Sequence, residues 1–156
     1  MHTAIQDLEN ILTEQGKKIS ELKNRLLETE NEWNTRYKTL LLDFLQVIDT
    51  FDQAEMIIEE KCWNENEIAN KAINRLLTAK KKALTIFKKH GVTPMAFENN
   101  MANDDDCKVI DTEYDRDYPS NYILRTEKKG YNWQSAHEGQ LRSENLRSAE
   151  VVIVKN

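Results

Sequence analysis

An apolar residue recurs at every seventh position from Ile5 to Leu40, and a chain carrying that pattern has few folds open to it. Positions 5, 12, 19, 26, 33 and 40 hold Ile, Leu, Ile, Leu, Trp and Leu; the intercalated positions 8, 15, 22, 29 and 36 hold Leu, Gln, Leu, Thr and Arg. This is a heptad seam whose first core position is apolar throughout and whose second fades after Leu22. No Pro interrupts it, and Gly16 is its weakest helix former, costing about 1 kcal/mol relative to Ala. A stripe so narrow on an otherwise polar helix cannot be buried by that helix alone. Nothing else in the chain matches its length, so the expected partner is a second copy. Ile5, Leu8, Leu12, Ile19, Leu22, Leu26, Trp33 and Leu40 are then the dimerisation seam of a homodimer.

The totals agree with an elongated molecule. Of 156 residues, 31% are charged and 39% are apolar, a balance that suits a surface-rich shape better than a single ball. A net charge of −5 gives the chain no general attraction to nucleic acid or to an anionic membrane. Four Gly and two Pro indicate few turns and long regular elements. Cys62 and Cys107 are widely spaced and match no metal motif; nothing demands a disulfide between them, and they read as reduced structural thiols. The N-terminus is polar and heptad-patterned, unlike a signal peptide, and no apolar run approaches the roughly 18 residues of a membrane span. The expectation is a cytoplasmic protein with no membrane partner.

Beyond Leu40 the apolar face widens through Leu41, Leu42, Phe44, Leu45, Val47, Ile48 and Phe51, so more than one neighbour packs there. The same helix can run through Ile57 and Ile58 to Lys61. Trp63 to Asn66 breaks it, and Asn64 with Glu67 fits a capping box that starts a second helix. That helix carries Ile68, Ala69, Ala72, Ile73, Leu76, Leu77, Ala83, Leu84 and Phe87 on one face and ends at His90-Gly91, with Pro94 beyond. A short loop makes the two helices antiparallel, and two copies would make a four-helix bundle. After Gly91 the pattern changes to extended runs at 92–97, 108–114, 122–128, 131–133 and 151–155, separated by turn-rich stretches at 99–106, 115–121 and 132–145. The fold class is therefore α+β: a coiled-coil helix over 1–40, a bundle segment over 41–91 and a small all-β domain over 92–156.

Little in this chain suggests catalysis. Asp104-Asp105-Asp106 lacks the alternation and Gly of a calcium loop and reads as a solvated acidic turn. His2, His90 and His137 have no Cys or Glu at ligand spacing. No metal, cofactor or enzymatic activity is expected. The lysines at 80–82 and 88–89 read as a solvated, dipole-favoured helical face rather than a nucleic-acid site. Arg125, Lys128, Lys129, Arg142 and Arg147 mix with Tyr131 and Trp133, a composition shared by nucleic-acid platforms and protein–protein hot spots. The acidic balance favours protein recognition.

Four short stretches resemble the GrpE family, the nucleotide exchange factors of DnaK-type chaperones. Residues 45–54, Leu-Gln-Val-Ile-Asp-Thr-Phe-Asp-Gln-Ala, are similar to its "LLPVIDxLxRA"; Phe87 to Val92 resembles its "KFGV". Lys129-Gly130-Tyr131 matches "KGY", and Leu146 to Ile153 resembles "LRPAxVxV". The chain departs from the pattern in several places. Gln46 and Ser148 stand where Pro is usual, Asn103 to Cys107 replaces a "DPxxH" turn, and the stretch between Tyr131 and Arg147 is longer than usual. The usual disordered acidic tail ahead of the helix is nearly absent.

The resemblance implies a homodimer that binds the ATPase domain of a DnaK-type chaperone, opens its nucleotide cleft and promotes ADP release, with roles in protein folding and the heat-shock response. It also implies partner contacts at Arg147, Ile153 and Arg142 in the β domain and at Asp52 and Met56 on the long helix. The departures suggest a divergent paralogue with its own chaperone. A structural coiled-coil adaptor without exchange activity is the alternative: it needs the heptads and not the β motifs.

Overall fold

The computed structural model describes residues 2–137 and 140–156. The side chains of His2, Asn64, Ile68 and His137, singled out above, lie outside the described residues. The chain runs as helix α1 (His2–Glu60), a 3₁₀ turn (Trp63–Glu65), helix α2 (Glu67–Lys89) and strand β1 (Val92–Pro94). A second 3₁₀ turn (Glu98–Asn100) leads to strands β2 (Cys107–Glu113), β3 (Ile123–Lys128), β4 (Tyr131–His137), β5 (Gln140–Arg147) and β6 (Ala149–Val154). Two compact units result, residues 1–38 and residues 39–156.

The first unit is helix alone. Ile5, Leu8, Leu12, Ile19, Leu22, Leu26 and Trp33 all stand exposed along it, Leu26 at 69%. Thr29, which occupies a second-type seam position, turns its hydroxyl back to donate to the Arg25 carbonyl at 2.8 Å, so it is satisfied without a partner chain.

In the second unit the remainder of α1 lies antiparallel to α2. The Phe44 and Phe87 rings meet edge to face at 6.3 Å at one end, and Asp52 faces Lys80 further along. Leu41, Leu45, Ile48 and Ile58 are buried on α1, as are Ile73 and Phe87 on α2. The long helix runs through Gln46 without interruption, as the missing Pro allows. The second helix starts later than the capping box at Asn64 suggests. Its N-cap is Asn66, whose Oδ1 accepts from the Ala69 amide at 3.1 Å. The reason lies just upstream: Cys62 adopts a left-handed conformation (φ 51°), and the 3₁₀ turn takes up residues 63–65. At the far end Gly91 has φ +78° and closes the helix, its amide donating to the Lys88 carbonyl, as the His90-Gly91 signal indicates.

The β domain consists of two three-stranded sheets, β1-β4-β5 and β2-β6-β3. In the second, β6 runs parallel to β2 and antiparallel to β3. As a central strand with both neighbours filled, β6 reads as the apolar run Val151 to Val154, all of it buried. Ile123, Ala149, Val151 and Ile153 form one core cluster, with Phe97, Ala102 and Cys107 against it. Two expectations need correction here. The extended run at 92–97 is strand only as far as Pro94; Met95 then donates to the Gly130 carbonyl and the chain turns away. Within the stretch 132–145, residues 132–137 lengthen β4 and residues 140–145 belong to β5 and are not loop; the two strands pair from Tyr131–Arg147 out to His137–Gln140.

Candidate partner-binding site

Along α1 the buried stripe 41, 45, 48 continues at helical spacing to 52, 55 and 58, and its middle members are acidic. Asp49, Asp52 and Glu55 on this part of the helix meet cations from three other places in the fold. From α2, Lys80 donates to Asp52 Oδ1 at 2.6 Å and also pairs with Glu55. From the turn between β3 and β4, Lys129 reaches the same Asp52 oxygen at 2.9 Å. From the end of β5, Arg147 clasps Asp49 with both terminal nitrogens at 2.7 Å. Arg147 also donates to the Lys129 carbonyl from Nε and Nη2, and its guanidinium lies 5.5 Å from the centre of the Tyr131 ring. Lys128 approaches Asp49 at 3.5 Å. Bidentate, charge-assisted contacts of this kind fix geometry as well as contribute energy.

Burial alone would raise the Asp52 carboxyl, but hydrogen bonds from Lys80 and Lys129 outweigh it and hold the group below its ordinary value. Burial alone would lower Lys80, yet its bonds to Asp52 and Glu55 keep it above the ordinary lysine value. Both groups are therefore charged across the neutral range. Burial, then the Asp52 charge, pushes the Tyr131 phenol up, so it stays a neutral ring beneath the guanidinium.

Lys80 corrects the sequence reading of a solvated lysine face: it is 8% exposed. The signal was its position, since 73, 76, 80, 84 and 87 share one face of α2, otherwise filled by Ile73, Leu76, Leu84 and Phe87. A lysine inside an apolar stripe needs an acid opposite, and Asp52 and Glu55 interrupt the α1 stripe at the facing level.

Beside this cluster, α1 and the β domain enclose an open groove of about 640 Å³, lined by Gln53, Met56 and Glu59 on the helix and Thr126, Glu127 and Glu150 on the strands, with the paired charges at its edge. Met56 is exposed at its mouth. Arg142 is exposed on β5 opposite Ser135, next to Leu141, which is 76% exposed. Ile153 is instead a core residue at 8% exposure. Of the five residues expected to contact a partner, Asp52 and Arg147 are thus brought into one cluster with Met56 adjacent, Arg142 lies out along the hairpin, and Ile153 is inside.

Three separate stretches of sequence converge at this one place: 45–54 supplies Asp49 and Asp52, 129–131 supplies the Lys129 carbonyl and the Tyr131 ring, and 146–149 supplies Arg147. The GrpE family model matches residues 1–155. The chain belongs to the GrpE family. A search of curated proteins finds no match.

The family motifs gain a physical reason from this arrangement. Gly130 of "KGY" has no room for a side chain, because a Cβ there would lie 2.5 Å from Met95 Sδ and 2.7 Å from the Ala149 nitrogen. The small Ala149 of the "LRPA" stretch packs on that glycine, while Tyr131 pairs with Arg147 in the ladder. The departures from the GrpE pattern are compensated locally. Ser148, in place of Pro, accepts through Oγ from the side-chain Nδ2 of Asn145 at 3.1 Å. In place of the "DPxxH" turn, Asn103 Oδ1 accepts from the Asp106 amide at 2.7 Å and the Asn103 carbonyl from the Cys107 amide. Burial raises the Cys107 thiol above its ordinary value. Among the described residues, no group of His, Cys, Asp and Glu is placed to hold a metal, and no helix is long and apolar enough to cross a membrane. GrpE proteins are co-chaperones that exchange nucleotide on DnaK-type chaperones, and this chain shares that general role.

Proposed function

We propose that this chain is a homodimeric, cytoplasmic exchange factor for one DnaK-type chaperone, and that it acts by binding the chaperone's ATPase domain in an open, nucleotide-free conformation. No bond is made or broken. The open conformation is stabilised because it alone satisfies contacts on the β domain and on the helix at once, and ADP leaves as a consequence of that differential binding. Met56 and Arg142, both exposed, are the direct contacts; Asp52, Arg147 and Ile153 belong to the structure that presents them. The observation carrying this reading is the convergence of the family's motif residues on one charged cluster beside the groove.

In the dimer, the seam from Ile5 to Leu40 pairs two helices. The exposed apolar strip of the helix pair, formed by Val47, Phe51, Ala54, Ile57, Trp63 and Ala72, meets its equivalent in the second copy. The deciding experiment follows release of a fluorescent ADP analogue from the cognate DnaK-type chaperone. Catalytic amounts of the protein should accelerate release many-fold, and Met56→Ala with Arg142→Ala should remove most of the acceleration. An unchanged release rate sinks the proposal.

A further inference from the structure

The resemblance to GrpE assigns Arg147 to direct contact with the chaperone, yet its guanidinium is already engaged on every side. Two nitrogens hold Asp49 at 2.7 Å, Nε and Nη2 donate to the Lys129 carbonyl at 3.2 and 2.8 Å, and one face covers Tyr131. The Arg147 side chain is only 14% exposed and that of Asp49 only 16%. To reach a partner, the arginine would have to abandon a half-buried carboxylate that has Lys128 as its other neighbour, at 3.5 Å. Leaving one member of such a pair alone costs more than the pair gains, so the free protein resists this exchange.

We infer that Arg147 is a positioning residue, and that with Asp49 it forms a charged latch seating the β domain on the helix pair. The Asp52, Lys80 and Lys129 contacts are the second half of the same latch, joining α1, α2 and the β3–β4 turn through one carboxylate. Both halves meet at residues 129–131, where the Met95 amide bonds the Gly130 carbonyl. Beyond them, the Gln134 amide bonds the Gly91 carbonyl at the end of α2. Rigidity here matters mechanically. A factor that stabilises an open cleft through a helix contact and a β-domain contact must hold the two at fixed separation. A loose seat would order only on binding, and that cost would be subtracted from the preference for the open cleft. This role rests on the proposed exchange activity; the seating itself does not.

The test compares Asp49→Asn, Arg147→Gln and the double variant in the full chain. Asn is isosteric with Asp and leaves Arg147 in place. If Arg147 positions, Asp49→Asn and Arg147→Gln each slow chaperone-bound ADP release by about tenfold or more, and the double variant is no worse than either alone, as expected of one coupled interaction. In the free protein, amide hydrogen exchange at Gln134 and Met95 then accelerates in both variants, while the β6 amides remain protected. Full exchange activity in Asp49→Asn with loss in Arg147→Gln would show that the arginine touches the chaperone, and overturns the inference. Unchanged protection at Gln134 and Met95 overturns it as well. Should the unaltered protein fail to accelerate ADP release from the chaperone, the exchange reading falls, and the hydrogen-exchange result still decides whether the latch exists.

Discussion

A carboxylate shared by two lysines makes Asp52 the residue whose titration matters most for the helix pair. Its folded pKa lies below the ordinary value, because bonds from Lys80 and Lys129 overcome burial, with Glu55 and the Tyr131 ring also near. A depressed carboxylate contributes stability that is present above its unfolded pKa of about 3.9 and is lost as pH falls through the lower folded value. Lys80 behaves in the opposite sense. Its folded pKa is raised, so its contribution is complete below about 10.4 and is lost only as pH climbs through the higher folded value. The cluster is therefore intact between those limits. In urea melts at pH 7, Asp52→Asn should be the less stable protein, and the gap to the unaltered chain should begin to narrow once pH falls below about 3.9. A gap independent of pH would mean that Asp52 contributes through packing and not through charge. At Gly130 the constraint is steric. A Cβ would press on the Ala149 backbone, which cannot yield without displacing β6. Gly130→Ala should cost about 1–3 kcal/mol, as overpacking does, seen as a lowered melting midpoint of the β domain.

Elements differ in how openly the sequence declares them, and the difference follows what each buries. Helix α1 and strand β6 are legible because one repeats at the helical period and the other is a continuous apolar run. Strand β5 is hidden because only Leu146 of Gln140–Arg147 is buried; its pairing comes from β4 and leaves no alternation to read. The site shows the same split. Arg147 and Asp49 stand at fixed letters of the family motifs and Asp52 lies within the same stretch as Asp49, but their pairing and the role of Lys80 could not be read, since these exist only once the elements face each other. The start of α2 was ambiguous for a local reason. Asn64 and Asn66 are both capable caps, and the backbone reversal at Cys62 decides between them. Because Asn66 is the cap, Asn66→Ala should destabilise the helical segment by about 1 kcal/mol, read from the helical circular-dichroism melt. Asn64→Ala should leave that melt where it is. The reverse result would restore the earlier helix start.

At the scale of the whole molecule, the first unit has a single physical demand: Ile5, Leu8, Leu12, Ile19, Leu22, Leu26 and Trp33 all face solvent along one helix. A monomeric helix of this kind gains nothing from its seam, because propensity alone sustains helices in water only weakly. A parallel pair buries every one of those side chains twice, and a substitution in the seam is likewise felt twice. Truncating a well-packed Leu costs about 2 kcal/mol at the low end, so Leu26→Ala removes about 4 kcal/mol from a dimer. That corresponds to roughly a thousandfold weaker association. Thr29 supplies the opposite test. Its hydroxyl is satisfied by the Arg25 carbonyl, so replacing it with Leu sacrifices little and fills a second-type core position. Thr29→Leu should therefore tighten the dimer where Leu26→Ala loosens it, both read from the concentration dependence of the sedimentation-derived mass. Opposite shifts from positions three residues apart require the heptad register, whereas a monomer at every concentration would remove the dimer from the account.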